Sequence, residues 1–261
     1  MLRAQRQEWL VDRLGRDGRL VAKDIAVELD VSEDSVRRDL RELAAAGLCQ
    51  RVYGGALPVS PAVADYATRR EVAVASKERV AAAAAALVRP GGVAILDGGT
   101  TTLAVVTALP RDLEATIVTH SPTIATALAD HAGVEVQILG GRLFRHSMVT
   151  CGAAAVEAAQ GISADVFLLG VTGVHHETGL TTGDADEAAM KRALAARAAE
   201  TWVLASVEKV GAVSRYAVLP LSDVAGVVTD APSDAPVVQE LVAEGVDVVT
   251  TECRNSRPPM T

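Results

Sequence analysis

Seven short apolar runs, at 93–96, 116–119, 134–139, 166–169, 202–205, 227–229 and 246–249, recur through the carboxyl-terminal part of the chain. They are rich in β-branched residues and mostly lack polar alternation, the pattern of strands covered on both faces. Stretches 103–109, 123–132, 153–159, 187–200 and 235–244 lie between most of them and predict helices. Another helix is expected from Ser76, a plausible N-cap, to the Pro90-Gly91-Gly92 stop. Repeated strand, helix, strand units constrain this region to an open, mostly parallel sheet with helices on both sides. Hydrophobic residues make up 49% of the chain and aromatics only 3%, so its core must be Ala, Val, Leu and Ile at close range.

Open parallel sheets take ligands at the carboxyl ends of their strands. Run 93–96 leads straight into Asp97-Gly98-Gly99-Thr100-Thr101-Thr102 and then a helix. Two glycines allow a tight turn, threonine hydroxyls can donate, and a helix amino terminus favours an anion. The same residues also suit a plain strand-to-helix turn. The loop lacks the lysine of a P-loop, and no dinucleotide fingerprint occurs in the chain. Other strand ends carry His120-Ser121, Gly140-Gly141-Arg142, Gly170 to Gly173, and Ser206 to Lys209. Together these favour a small anionic, polyhydroxyl ligand. Glu187 and Lys191, four apart on one helix, are either a local ion pair or part of the pocket mouth. His131, His146, His175 and His176 form no metal-ligand spacing, and His175-His176-Glu177 reads as a solvated turn.

The first 56 residues have a different pattern. Helices are expected from residue 3 to the Gly15 to Gly18 break, then around Ile25, Ala26 and Leu29, then from Ser32 to Gly47. Ser32 can cap the third helix by accepting from amides near Ser35, with Glu33 and Asp34 at its positive end. Val36, Leu40, Leu43 and Ala44 make its apolar stripe, while Arg38 and Arg41 project from the other side and Arg37 lies at the flank. Two short helices joined by a tight turn, the second basic on its outer face, make a helix-turn-helix. A strand at 48–52 and the Gly54-Gly55 turn suggest a wing. Ser32, Ser35, Arg37, Arg38 and Arg41 are the candidate DNA contacts, because Arg bonds guanine bidentately and Ser positions on phosphate or a base edge. Arg51 is either a phosphate or minor-groove contact or a solvated strand end.

The net charge of -8 looks wrong for a nucleic-acid binder until it is divided. Residues 1–56 hold ten Lys+Arg and ten Asp+Glu, so the rest hold 25 - 10 = 15 against 33 - 10 = 23. A neutral module with clustered arginines binds phosphate locally, and the acidic remainder discourages unspecific sticking. Cys49, Cys151 and Cys253 are widely spaced, which argues against a disulfide framework or zinc site. A charged amphipathic start and short apolar runs lead us to expect a soluble, cytoplasmic protein. The expected divisions are a DNA-binding domain at 1–56, a linker at 57–75, a sensor domain at 76–252 and a disordered tail at 253–261.

The run LVAKDIAVELDVSEDSVRRDLRELAAAGLCQRVYGGA resembles the winged helix-turn-helix of the DeoR family of bacterial transcriptional regulators, through its VS-x-x-S-V-RRDL core and R-V-Y-GGA ending. Beyond it, LDGGTTTLAV is similar to the family's LDSGTT loop, VTHSPTIA to VTNS, ILGG to LGG, DVFLLGVTGV to D-x-F-x-G-x-x-G, EAAMKRAL to the E-x-x-x-K helix and VEKVG to SSKFG. His120 replaces the usual Asn, Gly99 a frequent Ser, and Ser206-Val207-Glu208 the usual Asp-Ser-Ser. The resemblance implies a sensor domain similar in fold to sugar-phosphate isomerases and coenzyme A transferases, with a phosphorylated sugar or polyol as inducer. It places effector contacts at Asp97, Gly98, Gly99, Thr100, Thr101, Thr102, His120, Ser121, Gly141, Gly173, Glu187, Lys191 and Lys209.

The favoured expectation is therefore a repressor that binds operator DNA as a homo-oligomer, dimer or tetramer, and needs no cofactor, metal or catalytic residue. A single recognition helix makes too few contacts for operator specificity. The alternative is a sugar-phosphate isomerase with an accessory DNA-binding arm, using Asp97 or Glu187 as general base.

Overall fold

The computed structural model describes residues 2–17, 19–59 and 65–251. The amino-terminal module contains α1 (Arg3–Asp17), β1 (Leu20–Val21), α2 (Ala22–Glu28), α3 (Glu33–Ala45), β2 (Gln50–Val52) and β3 (Gly55–Leu57). Leu10, Leu14, Ile25, Val36, Leu40 and Leu43 pack as its core, with Cys49 and Ala56 beneath the wing. The wing is larger than the sequence indicated. Leu20-Val21 joins as a third strand, pairing antiparallel with β3 so that the sheet runs β1-β3-β2. The first helix also continues past Gly15 to Asp17.

The stretch expected as a linker contains regular elements. Leu57 closes β3, and α4 (Tyr66–Glu71) and α5 (Val74–Ala85) follow. Ser76 is not the cap of α5. The helix starts two residues earlier behind Ala73 in the left-handed region, and the buried Ser76 hydroxyl instead donates to Asp230. Val74 and Ala75 extend the helix because tertiary packing, not a local cap, fixes its start. Residues 60–64 and the expected tail at 253–261 lie outside the described residues.

The rest of the chain runs β4 (Val93–Leu96), α6 (Thr100–Ala108), β5 (Ala115–Thr119), α7 (Pro122–Ala127), β6 (Val134–Ile138), β7 (Arg142–Phe144), β8 (Val149–Cys151), α8 (Ala153–Ala159) and β9 (Ala164–Gly170). It continues through β10 (Gly173–His175), β11 (Gly179–Thr182), α9 (Ala185–Ala195), β12 (Ala198–Ala205), β13 (Tyr216–Ala217), β14 (Gly226–Thr229), α10 (Pro236–Ala243) and β15 (Val248–Thr250). Seven of these strands form one parallel sheet in the order β15-β14-β12-β9-β4-β5-β6. They are the seven apolar runs of the sequence.

Alternate residues supply two cores. Ile95, Phe167, Leu169 and Val203 face α8, α9 and α10, while Leu96, Leu168, Leu204 and Val228 face α5, α6 and α7. This two-sided burial explains why the runs carry so few polar residues. The helix expected at 187–200 ends at Ala195, because Ala198 already pairs with Ala164 at the start of β12. That expected at 123–132 stops at Ala127. Hairpin β7–β8 and the antiparallel sheet β10-β11-β13 cover the carboxyl end of the main sheet, features its periodicity did not announce.

Candidate DNA interface and anion pocket

In α3 the Ser32 hydroxyl accepts from the Ser35 amide and also pairs with the Ser35 hydroxyl at 2.8 Å. Arg37 is held by Glu33 one turn back, at 2.6 Å. Arg38 and Arg41 are exposed, with no ion-pair partner among the described residues, and Arg51 is exposed on β2. Asp39, by contrast, points inward and is almost fully buried. Arg6 and Arg3 bind it, which fixes the back of α3 against α1. The outward arginines are therefore carried on a helix whose orientation is set by a buried charge pair.

The strand order reverses between β4 and β9, and a cavity of about 20 Å³ opens at their carboxyl ends. Space on this scale holds a water or a small anion and no sugar ring. Gly98 to Thr102, Gly170 to Thr172, Thr182, Glu187, Lys191, Lys209, Arg69 and Ser147 line it. The fully buried Asp97 lies beneath it, outside the lining. It accepts from Lys191, from His120 at 2.8 Å, and from the amides of Gly98 and Gly170. Burial alone would raise the Asp97 carboxyl, yet Lys191 and His120 outweigh burial and hold it down to about 2. Lys191 moves upward despite its own burial, owing to Asp97 and then Glu187.

Above this neutralised base the field is positive. Gly99 precedes α6 with φ +116° and no side chain caps the helix, so the first amides of α6 face the cavity. Lys209 is buried at the end of a short turn after β12 and donates to Thr101 Oγ1 at 2.9 Å. Burial lowers its ammonium to about 8, and Lys77, Arg69 and Lys191 push the same way against Glu208. Asp230 steadies that turn by accepting from the Val207 amide, Ser76 and Arg79. Arg69 reaches the cavity from α4, donates to the His146 carbonyl, and has its Nε buried without a hydrogen-bond partner. Two cations that form no salt bridge among the described residues, several hydroxyls and a helix amino terminus are the chemistry that suits a small anion, with Glu187 the one carboxylate in the lining.

Comparison with known proteins decides what this pairing of modules is. Residues 6–62 match the DeoR-like helix-turn-helix domain, and residues 72–231 match the DeoR C terminal sensor domain. The chain belongs to the DeoR family of transcriptional regulators. This DeoR-family chain is 33% identical to the HTH-type transcriptional regulator GlpR of Haloferax volcanii, over 95% of its own length and 98% of that protein's. It is 30% identical to a putative aga operon transcriptional repressor of Escherichia coli O157:H7, covering 94% and 93% of the two chains. Among solved structures it is similar to a ribose 5-phosphate isomerase from Methanocaldococcus jannaschii with 19% identity and TM-score 0.38, over 51% and 52% of the chains. The family and the two relatives matched over most of the chain are named as transcriptional regulators, not enzymes. The candidate base Asp97 moreover accepts hydrogen bonds on both oxygens and does not line the cavity.

Of the residues the sequence singled out in the regulator's sensor, Gly98, Gly99, Thr100, Thr101, Thr102, Glu187, Lys191 and Lys209 share the cavity. Asp97, His120, Ser121, Gly141 and Gly173 do not line it. Asp97 and His120 are buried beneath, His120 bridging Asp97 and the Thr150 carbonyl. The Ser121 hydroxyl donates to the Met148 carbonyl. Gly141 and Gly173 are close-approach points, where a Cβ would lie 2.9 Å from Ala155 and 2.2 Å from the Ala212 carbonyl. The strand end from Gly170 to Gly173, singled out in the sequence, supplies Gly170, Val171 and Thr172, while sequence reading missed Ser147, Thr182 and, above all, Arg69. The Arg69-Arg70 pair was visible, but it lay in the stretch 57–75 expected as a linker. His175, His176 and Glu177 bring ligand-capable atoms within 4.8 Å of one another. His175 Nδ1, however, accepts from the Glu177 amide at 3.2 Å, which commits that lone pair to the hairpin turn. No helix among the described residues is long and apolar enough to cross a membrane.

Proposed function

We propose that this regulator is an oligomeric repressor of a sugar- or polyol-catabolic operon and is released from its operator by a phosphorylated intermediate. The observation that carries the reading is the cavity of Lys209, Arg69 and the uncapped α6 amides, a receptor for one tetrahedral anion over a neutralised base. A relative 28% identical over 92% of this chain is named glycerol-3-phosphate regulon repressor in Escherichia coli, which agrees with that ligand class. On the DNA side, Arg38 and Arg41 are the base-reading candidates, Arg37, Ser32 and Ser35 position the helix, and Arg51 adds a backbone contact from the wing.

The test uses a duplex selected from a random library by the purified protein. Glycerol 3-phosphate, glucose 6-phosphate, fructose 1-phosphate and ribose 5-phosphate are then screened for raised melting temperature and for release of that duplex. At least one should do both. Lys209→Ala should bind the duplex as before yet resist release. Continued release from Lys209→Ala would remove Lys209 from the site, and a screen in which no phosphorylated sugar acts would remove the reading.

A further inference from the structure

The anion cavity is too small for the rest of a sugar phosphate, and its neighbour shows where that remainder can lie. A cleft of about 410 Å³ adjoins it, and Ser147, Thr172 and Glu187 line both spaces. This volume falls within the range of small-molecule sites. One wall of the cleft belongs to the sensor, with His146, Asp184, Ser214 and Arg215 supplying polar groups. The opposite wall belongs to the DNA-binding module: Ala44 at the carboxyl end of α3, then Gly47, Cys49 and Gln50 leading into the wing. Beside the cleft, Val59 pairs with Val213, so the chain leaving the wing is tied to the same wall of the sensor.

We infer that cavity and cleft form one composite site, in which the effector's anion sits on Lys209 and α6 while its polyhydroxyl body lies against the carboxyl end of the recognition helix. This rests on the effector reading above and adds the route by which the effector acts. A ligand touching both modules binds only the arrangement that brings them together, so its binding free energy is spent on their relative placement. Inorganic phosphate fills the cavity and leaves the cleft empty. It should therefore bind without moving the DNA-binding module, which makes the length of the ligand, not its charge, the signal.

The experiment compares inorganic phosphate with the active sugar phosphate on the full chain, using the wild type, Gln50→Ala, which removes a polar group from the cleft wall, and Ala44→Leu, which fills it. Melting temperature reads phosphate binding, calorimetry reads sugar-phosphate affinity, and anisotropy reads duplex release. In both variants stabilisation by phosphate should be kept, while sugar-phosphate affinity falls by at least about tenfold. In the wild type, saturating phosphate should leave the duplex bound. Sugar-phosphate affinity unchanged in both variants would overturn the composite site, as would release of the duplex by phosphate alone. Parallel loss of both ligands in both variants would also overturn it, since these residues would then act through the fold. A wild type that takes neither ligand would instead defeat the underlying effector reading.

Discussion

Arg37, Arg38 and Arg41 are all candidate DNA contacts in the sequence, and the structure widens the difference between Arg37 at the flank and the other two. Arg37 is spent on Glu33, whereas Arg38 and Arg41 project without an ion-pair partner among the described residues. Arg38→Ala should weaken operator binding by about 1–3 kcal/mol if it reads a base bidentately, and fluorescence anisotropy on matched and base-substituted duplexes checks this. An equal loss on every duplex would make Arg38 a phosphate contact. Lys209 gives a pH signature. Its ammonium is lowered to about 8 by burial, so the free protein carries the charge below that pH and loses it above. A bound anion favours the charged form and raises this value. Effector affinity should therefore be flat near pH 7 and fall above pH 8 by up to about tenfold per unit, read by calorimetry at pH 7, 8 and 9. Lys209→Ala should flatten the profile.

At the scale of elements, the β4–α6 turn shows what glycine does here. A Cβ on Gly98 would stand 2.0 Å from Val149 Cγ1 and 3.3 Å from Ser121 Cβ, and Val149 is fully buried. Gly98→Ala must displace the β7–β8 hairpin or the loop, and should cost about 1–3 kcal/mol in urea unfolding along with effector response. Unchanged stability would mean that the hairpin yields freely. The sequence marked this turn as a strand-to-helix glycine loop but could not name Val149, which comes from a hairpin about fifty residues on. The stretch 187–200 fails in the opposite way. Its Ala and Glu content favours helix throughout, yet pairing with β9 claims residues from Ala198 onward, because a central strand position outweighs helix propensity.

Over the whole molecule, Asp97 is the point where the sheet is joined. It ends β4, accepts the Gly170 amide at the end of β9, His120 beyond β5, and Lys191 from α9. Asp97→Asn takes from the buried Lys191 the nearer of its two carboxylates, leaving only Glu187 at 3.5 Å, and should cost about 3–5 kcal/mol at pH 7, measured by urea unfolding. Because the folded carboxyl lies at about 2, below its unfolded value, its contribution is present above pH 4 and lost as the pH falls toward 2. The wild type should lose about 2 kcal/mol over this window, the equivalent of a shift from 3.8 to about 2, and Asp97→Asn should not. By itself, the sequence determined the two-module organisation, the seven sheet strands and the recognition helix with its cap. Each of these rests on periodicity or on chemistry between residues a few positions apart. Only the tertiary structure decided that Asp97 and His120 support the cavity from below, that Arg69 enters it from α4, and that the cleft beside it is walled by the end of α3. Those relations join residues far apart in the chain, and burial and ion pairing between separate elements leave no local pattern to read.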